Sequence, residues 1–386
     1  MAITTINIGS AANDGTGDTL RAAFGHVNTN FENFKIEGTN FTGSILIGHN
    51  TTGTLSSAEY NVGVGIGALD SITQGDYHVA VGYNAGTAIT TGQRNTLIGA
   101  EAGDALTTGS HNVAVGQRAL GTEDTHGGNT AVGYSALVSQ NAGAHAFNTA
   151  VGYESGLDIT TGIKNVLVGA EAGHNLTTGS NNVAIGYEAL STEDTGNRNV
   201  AIGQSALSSL NFNGNGYNIA IGHNAGLSVT TGVQNTIIGG LAGDALTTGD
   251  SNVAIGYTAL SSEDEHGSNT AIGFAALQVQ NAGADAFNVA IGHAAGLSVS
   301  TGAGNVLIGG LAGDALTTGI RNVAIGHLAL STEDAGSRNV AIGAEALKSQ
   351  DGGSYNVAVG DSAAENLTTG GENTIIGGLA GDALTS

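Results

Sequence analysis

β-Branched residues alternate with alanine or leucine in a short stretch that ends on glycine and returns about every 17 residues. Written as Asn-(Val/Thr/Ile)-(Ala/Leu)-(Ile/Val)-Gly, it has 20 starts, running from Ser44, Asn61 and His78 to Asn373. Alternation of this kind marks a strand, and a period this short marks stacked units that cannot each bury their own face. The pattern predicts an all-β, parallel β-solenoid or β-roll of about 20 rungs, 17–19 residues each, over residues 44–386, behind a separate segment at residues 1–43.

Each position of the repeat carries its own expectation. Asn holds position 1 in 18 of the 20 repeats, Ser44 and His78 excepted, and repeated amides can ladder along a stack. Position 4 is always Ile or Val, so it is expected to be fully buried. Position 5 is always Gly, which implies positive φ or close backbone approach. Position 8 is Ala except at Thr51 and Ser155, so a tight neighbour is expected there. Leu97, Leu167, Ile237, Leu307 and Ile375 enlarge position 3 where position 6 is small, and tyrosines often fill position 6 elsewhere. That exchange reads as volume compensation within a packed layer. A second strand is expected in each repeat, often ending in Leu-Thr-Thr-Gly. Two-residue insertions after Asn129, Asn199 and Asn269 create a 70-residue super-repeat, marked by Glu123-Asp124, Glu193-Asp194, Glu263-Asp264 and Glu333-Asp334. At a strand spacing of roughly 4.8 Å, the rungs make a rod of about 95 Å. One coil this flat has little interior, so three coils packed around a shared axis, a homotrimer, are expected.

Residues 1–43 do not repeat. Ile3 to Ile8 reads as a short strand, Asn13 to Asp18 as a dense turn, and Asp18 as the N-cap of a helix running to about Phe34. Leu20, Phe24, Val27, Phe31 and Phe34 are spaced 4, 3, 4, 3, a short a/d seam weakened by Gly25. The seam is a candidate for docking or for nucleating a trimer.

Composition narrows the function. Gly is 65 residues while Pro, Cys and Trp are zero; without proline and a G-X-Y period, collagen is excluded. The net charge of −23, with nine Lys and Arg, excludes a basic face for nucleic acid or anionic membrane. No run of about 18 apolar residues is present to span a membrane as a helix, and residues 1–30 lack a secretory signal pattern.

Repeats such as Asn182-Val-Ala-Ile-Gly-Tyr-Glu-Ala-Leu190 resemble the head repeat of trimeric autotransporter adhesins (the YadA-like β-roll), although that repeat is nearer 14 residues. The resemblance implies a left-handed parallel roll built as a trimer. The run Ile6-Asn-Ile-Gly, then Asn13-Asp-Gly-Thr-Gly-Asp-Thr-Leu-Arg-Ala-Ala-Phe24 and Asn30-Phe31, is similar to the start of many tailed-phage structural and tail-fibre proteins. It implies that this end joins the virion, on a phage tail or baseplate protein. An autotransporter needs a signal peptide and a membrane anchor, which this sequence does not display, so the phage resemblance leads. The last repeat runs to Ser386 without a cap, which leaves room for a C-terminal tip or chaperone domain, a partner at that end, or further repeats.

No catalytic constellation stands out. Gly63-Val-Gly-Ile-Gly67 is the repeat, not a phosphate loop, and no His-Glu-x-x-His, P-loop lysine or Gly-x-Ser-x-Gly motif occurs. No enzyme, cofactor or metal role is expected; acidic pairs such as Glu193-Asp194 could hold Ca²⁺, but solvated loop charge is the simpler account. Tyr134, Tyr153, Tyr187, Tyr257 and Phe274, with His223, His293 and His327, share position 6. They can face a host-surface glycan or protein receptor as a stacking ladder, or pack laterally between rungs or subunits. The leading expectation is a virion tail-fibre or spike shaft that supports host attachment. Alternatives are a cell-surface adhesin or extracellular filament and, on the Thr-Thr-Gly tracts, an ice-binding solenoid.

Overall fold

The computed structural model describes residues 34–38, 41–47 and 55–386. Leu20, Phe24, Val27 and Phe31 lie outside them. Phe34 does not end a helix: it opens strand β1 (Phe34–Gly38), which pairs antiparallel with β2 (Phe41–Ile47). Phe-Lys-Ile-Glu alternates apolar and polar residues, and the run Ser44-Ile-Leu-Ile47 offers an edge to pair with.

The chain divides into two compact units, one ending at Ile163 and one beginning at Lys164. In the first, β2 starts a parallel series that continues from β3 (Val62–Val64) to β8 (Thr149–Val151). In the second, β9 (Val166–Val168) to β21 (Thr374–Ile376) form another parallel series. Register is in phase: Val183 lies opposite Val200, Ala184 opposite Ala201 and Ile185 opposite Ile202. Each unit is therefore a parallel β-solenoid, and no helix occurs among the described residues.

Each 17- or 19-residue turn holds one three-residue strand, not two. Left-handed residues cut the strand short. In the turn begun by Asn182, Gly186 has φ 138°, and Glu188, Leu190 and Arg198 have φ 54°, 54° and 62°. The position-5 glycine is obligatory for a second reason. A Cβ on Gly186 would stand 2.5 Å from the Gly203 carbonyl oxygen one turn on. Beyond the strand, backbone groups still pair between turns: Glu188 N–H donates to Ala170 O (3.1 Å), and Leu190 N–H to Ala206 O (3.0 Å). The polar backbone of these irregular corners is thus satisfied.

The core corrects the expectation for position 4. The middle strand residue, position 3, is wholly buried, as at Ala184, Ala201, Ala220 and Ile237. Positions 2 and 4 face out, with Val166, Ile185 and Ile219 at 38%, 36% and 39% exposure. A three-residue strand puts its first and last side chains on one face and its middle one on the other. The narrow interior takes the single side chain, and the β-branched pair points outward.

Volume compensation exists, but its partner is position 9, not the exposed position 6. Ala184 and Ala201 occur in turns with Leu190 and Leu207 at position 9; Ile237 occurs with Gly243. At Gly226 a Cβ would sit 3.0 Å from both Ile237 and Leu207 methyl carbons. Large and small side chains thus alternate across four turns, filling one coil's interior from one chain. The buried position-8 alanines, such as Ala189 and Ala206, follow the sequence expectation.

Position 1 builds a buried ladder. Asn182 Oδ1 accepts the Asn199 N–H (2.9 Å), Asn182 Nδ2 donates to Gly196 O (2.8 Å), and its own N–H donates to Asn165 Oδ1 (2.9 Å). The amides do not bond chiefly to one another; each ties the backbone of its own turn to the next. His78 imitates an asparagine: Nε2 donates to Gly92 O (2.8 Å), and Nδ1 accepts the Asn95 N–H (3.2 Å). That role requires a neutral ring with its proton on Nε2. Burial lowers the His78 pKa from 6.5 to about 4, against the opposing pull of nearby Asp76.

A histidine held below its unfolded value costs stability as pH falls from 6.5 towards 4, because the unfolded chain takes the proton first. His78→Asn is expected to gain about 3 kcal/mol on the wild type between pH 7 and pH 4. Denaturant titration of both proteins at the two pH values measures this, and an unchanged difference contradicts the buried neutral ring.

Candidate functional site

The surface that carries functional potential is the outward strand face. Positions 2 and 4 hold only Val, Ile or Thr from β3 to β21, with no charged residue, in a chain of net charge −23. Within each unit the in-phase register aligns these side chains into two parallel rows. Among the described residues, no segment covers them fully.

Position 6 lies just beyond the glycine that ends the strand. Tyr134 and Tyr153 stack with centroids 5.4 Å apart, Tyr257 and Phe274 at 5.9 Å, and Phe274 and His293 at 5.2 Å. In-phase turns create the stacks, since one strand spacing nearly matches aromatic stacking distance. The rings remain about half exposed, between 41% and 53% for Tyr134, Tyr153, Tyr257 and Phe274. Tyr187 stands apart, because its position-6 neighbours are Ala170 and Gln204. Its hydroxyl pKa is raised by a hydrogen bond to Glu188. Of the five sequence candidates, the structure thus pairs two sets and leaves one single.

A second ladder lies at the residue just before position 1, and sequence reasoning missed it. Tyr60 stacks on Tyr77 at 5.0 Å, and the Arg94 guanidinium lies 5.5 Å from the Tyr77 ring. Arg198 covers Tyr217 and Arg338 covers Tyr355, each also donating to the phenol oxygen (2.6 and 2.7 Å). The residue type varies there, so only its constant spacing could have revealed it. Gly304 interrupts this ladder between Phe287 and Arg321 and leaves an open groove of ≈ 240 Å³. The strand face is thus flanked in sequence by two rows of planar side chains, suited to stacking on sugar or aromatic rings.

The acidic corners differ from the expected solvated loops. Glu123, Glu193, Glu263 and Glu333 are fully buried at position 12, which apolar residues such as Leu176 and Leu246 occupy in other turns. Glu193 Oε1 accepts N–H bonds from Gly196 (2.7 Å) and Asp194 (3.1 Å), and Oε2 accepts one from Phe212 (3.4 Å). Glu333 Oε1 accepts the Gly352 N–H at 2.9 Å and the Gly336 N–H at 2.5 Å. Burial raises all four carboxyl pKa values, with backbone donors opposing. The threonine tracts are partly engaged in the stack: the Thr107 and Thr247 hydroxyls donate to the carbonyls of Asp124 (3.0 Å) and Asp264 (2.8 Å).

Comparison of the chain with protein-family models and with curated proteins finds no match.

The buried carboxyls give a pH dependence of known sign. A carboxyl whose folded pKa is raised contributes stability below its unfolded value, near 4.5, and loses it as pH rises through the folded value. Gln140, Gln280 and Gln350 already occupy position 12 in other turns. Glu193→Gln is therefore expected to raise the denaturation midpoint at pH 8 and to flatten its decline between pH 4 and 8. A variant that is less stable than wild type at pH 8 contradicts the desolvation account.

Proposed function

We propose that this protein is the shaft of a bacteriophage tail fibre or spike: a homotrimeric, acidic β-solenoid that holds a receptor-binding surface away from the virion and supports host attachment. The observation that carries this reading is the uncharged Val/Ile/Thr face. At roughly 4.8 Å per turn, the 13 strands of the second unit give it a face about 60 Å long. Monomeric soluble proteins rarely leave apolar patches beyond a few hundred Å² uncovered. The natural cover is the same face of other copies, since identical straight rows match one another along their whole length. Three copies would gain avidity at a receptor without any new contact.

The ordered roles follow from the sequence resemblance. Residues 1–43, with Leu20, Phe24, Val27, Phe31 and Phe34, would dock on a phage tail or baseplate protein. The stacked rings at Tyr134–Tyr153 and Tyr257–Phe274–His293 would meet a host glycan or protein receptor. The role is one of reach and binding, outside the cell and on the virion, with no reaction catalysed.

Native mass spectrometry of the purified protein tests the assembly, with Ile255→Lys, Ile272→Lys as the probe of its face. Wild type is expected as three chains, and the charged variant as a single folded chain. A wild-type monomer overturns the shaft assembly, and long filaments would shift the reading to a self-assembling extracellular adhesin. Loss of virion incorporation on deleting residues 1–43 is the second expectation; attachment of that truncation overturns the docking role.

A further inference from the structure

Two of the four acidic corners carry a histidine where their sisters carry glycine. The corners read Glu123-Asp124-Thr125-His126 and Glu263-Asp264-Glu265-His266, against Glu193-Asp194-Thr195-Gly196 and Glu333-Asp334-Ala335-Gly336. In the glycine corners the carboxylate closes onto the backbone. A Cβ at Gly196 would stand 2.5 Å from the Glu193 carboxyl carbon, so a side chain there forbids that closure. The histidine corners show the consequence. Glu123 Oε1 takes one N–H bond from His126 (3.1 Å), and Glu263 Oε1 one from His266 (3.3 Å). Glu193 and Glu333 take three and two N–H bonds, so the histidine corners hold fewer donors. Oε2 of Glu123 and Glu263, and Nδ1 of His266, are buried without a hydrogen-bond partner, as is Oε2 of Glu333. An unbonded oxygen on a fully buried carboxylate is costly, and no Lys or Arg is paired with either one among the described ion pairs.

We propose that these two corners are metal sites: Glu123, Asp124 and His126 in the first unit, and Glu263, Asp264 and His266 in the second, each binding one first-row divalent transition ion. One ligand atom from each residue of a triad lies within 4.8 Å of the others, a span that small side-chain rotations close. His126 Nδ1 is 3.8 Å from Glu123 Oε1, and His266 Nδ1 is 3.5 Å from Glu263 Oε1. Two carboxylates and one neutral imidazole balance a divalent charge. The imidazole selects the zinc, cobalt and nickel class over calcium and magnesium, which favour all-oxygen sets. The corner is open on one side, as the histidine rings are about a quarter exposed (29% and 25%), so water can complete the coordination. The next turn adds a further ligand type beside each site: His145, whose ring centroid is 6.4 Å from that of His126, and Asp285, which accepts the Gly267 N–H at 2.9 Å. The Thr125 hydroxyl lies 2.9 Å from His126 Nδ1 and orients that ring in the absence of metal.

The test uses full-length protein stripped of metal and titrated with Co²⁺ alone, followed by d–d absorption, and with Zn²⁺ alone by calorimetry. Wild type is expected to bind two ions per chain and to melt at a higher temperature with Zn²⁺. The variant His126→Gly, His266→Gly recreates the sister corners, so it is expected to fold and to bind none. His174→Ala, at a half-buried histidine elsewhere, is expected to keep both ions. No binding by wild type overturns the proposal, as does a double variant that still binds two ions per chain.

Discussion

The buried asparagine at the start of each turn is the constraint on which the rest of the structure depends. Its side-chain oxygen accepts the next turn's N–H, and in most turns its Nδ2 also donates to a backbone carbonyl that no strand pairing reaches; Asn129 and Asn199 lack that second bond. Asn235 shows the economy: Oδ1 accepts the Asn252 N–H and Nδ2 donates to Gly249 O. Without that side chain, one or two buried backbone groups per turn would lie unpaired, at about 1–3 kcal/mol each. Stacking in phase follows, because the ladder fixes which turn residue lies above which. In-phase stacking then creates the outward Val/Ile rows and the aromatic ladders without further instruction from the sequence.

The four-turn cycle is a second consequence of narrow space. One coil cannot fit a large side chain at both position 3 and position 9, so Leu277 at position 9 is followed by Gly296 in the next turn and by Leu307 at position 3 in the turn after. Polar residues enter the cycle at position 12, where one turn in four carries Glu and, in three of the four cycles, the next carries Gln. The buried glutamates therefore recur every 70 residues as parts of the interior, and the two beside a histidine take one N–H bond each where Glu193 and Glu333 take three and two. The proposed metal corners share a histidine at the backbone position where the structural corners hold glycine.

Much of the fold was legible in the sequence, for identifiable reasons. Period, strand position, the obligatory glycine and the small position 8 each follow from one residue type kept at one phase. The orientation of the strand was not legible. Valine and isoleucine at positions 2 and 4 look like core, and alanine at position 3 looks like surface, until one asks how many side chains a coil of this width admits. Leu190 and Leu207 at position 9 held the missing apolar volume, but they sit at left-handed corners where no strand pattern points to them. The candidate site was half legible: Tyr257 and Phe274 stack as their shared phase implies, whereas the Arg198–Tyr217 ladder is hidden by changing residue identity. The burial of Glu193 was unreadable, since a Glu-Asp pair beside Thr and Gly has the composition of a solvated loop.

Backbone amide exchange, resolved at single residues, tests the central claim most directly. The N–H groups of Asn182, Asn199, Asn235 and Asn252 each donate to the side-chain oxygen of the asparagine one turn earlier. They are predicted to exchange as slowly as the strand amides of Val183 and Val253, because opening one requires parting two turns. Rapid exchange at these asparagines, with protected strands beside them, would show that the ladder does not hold the turns together.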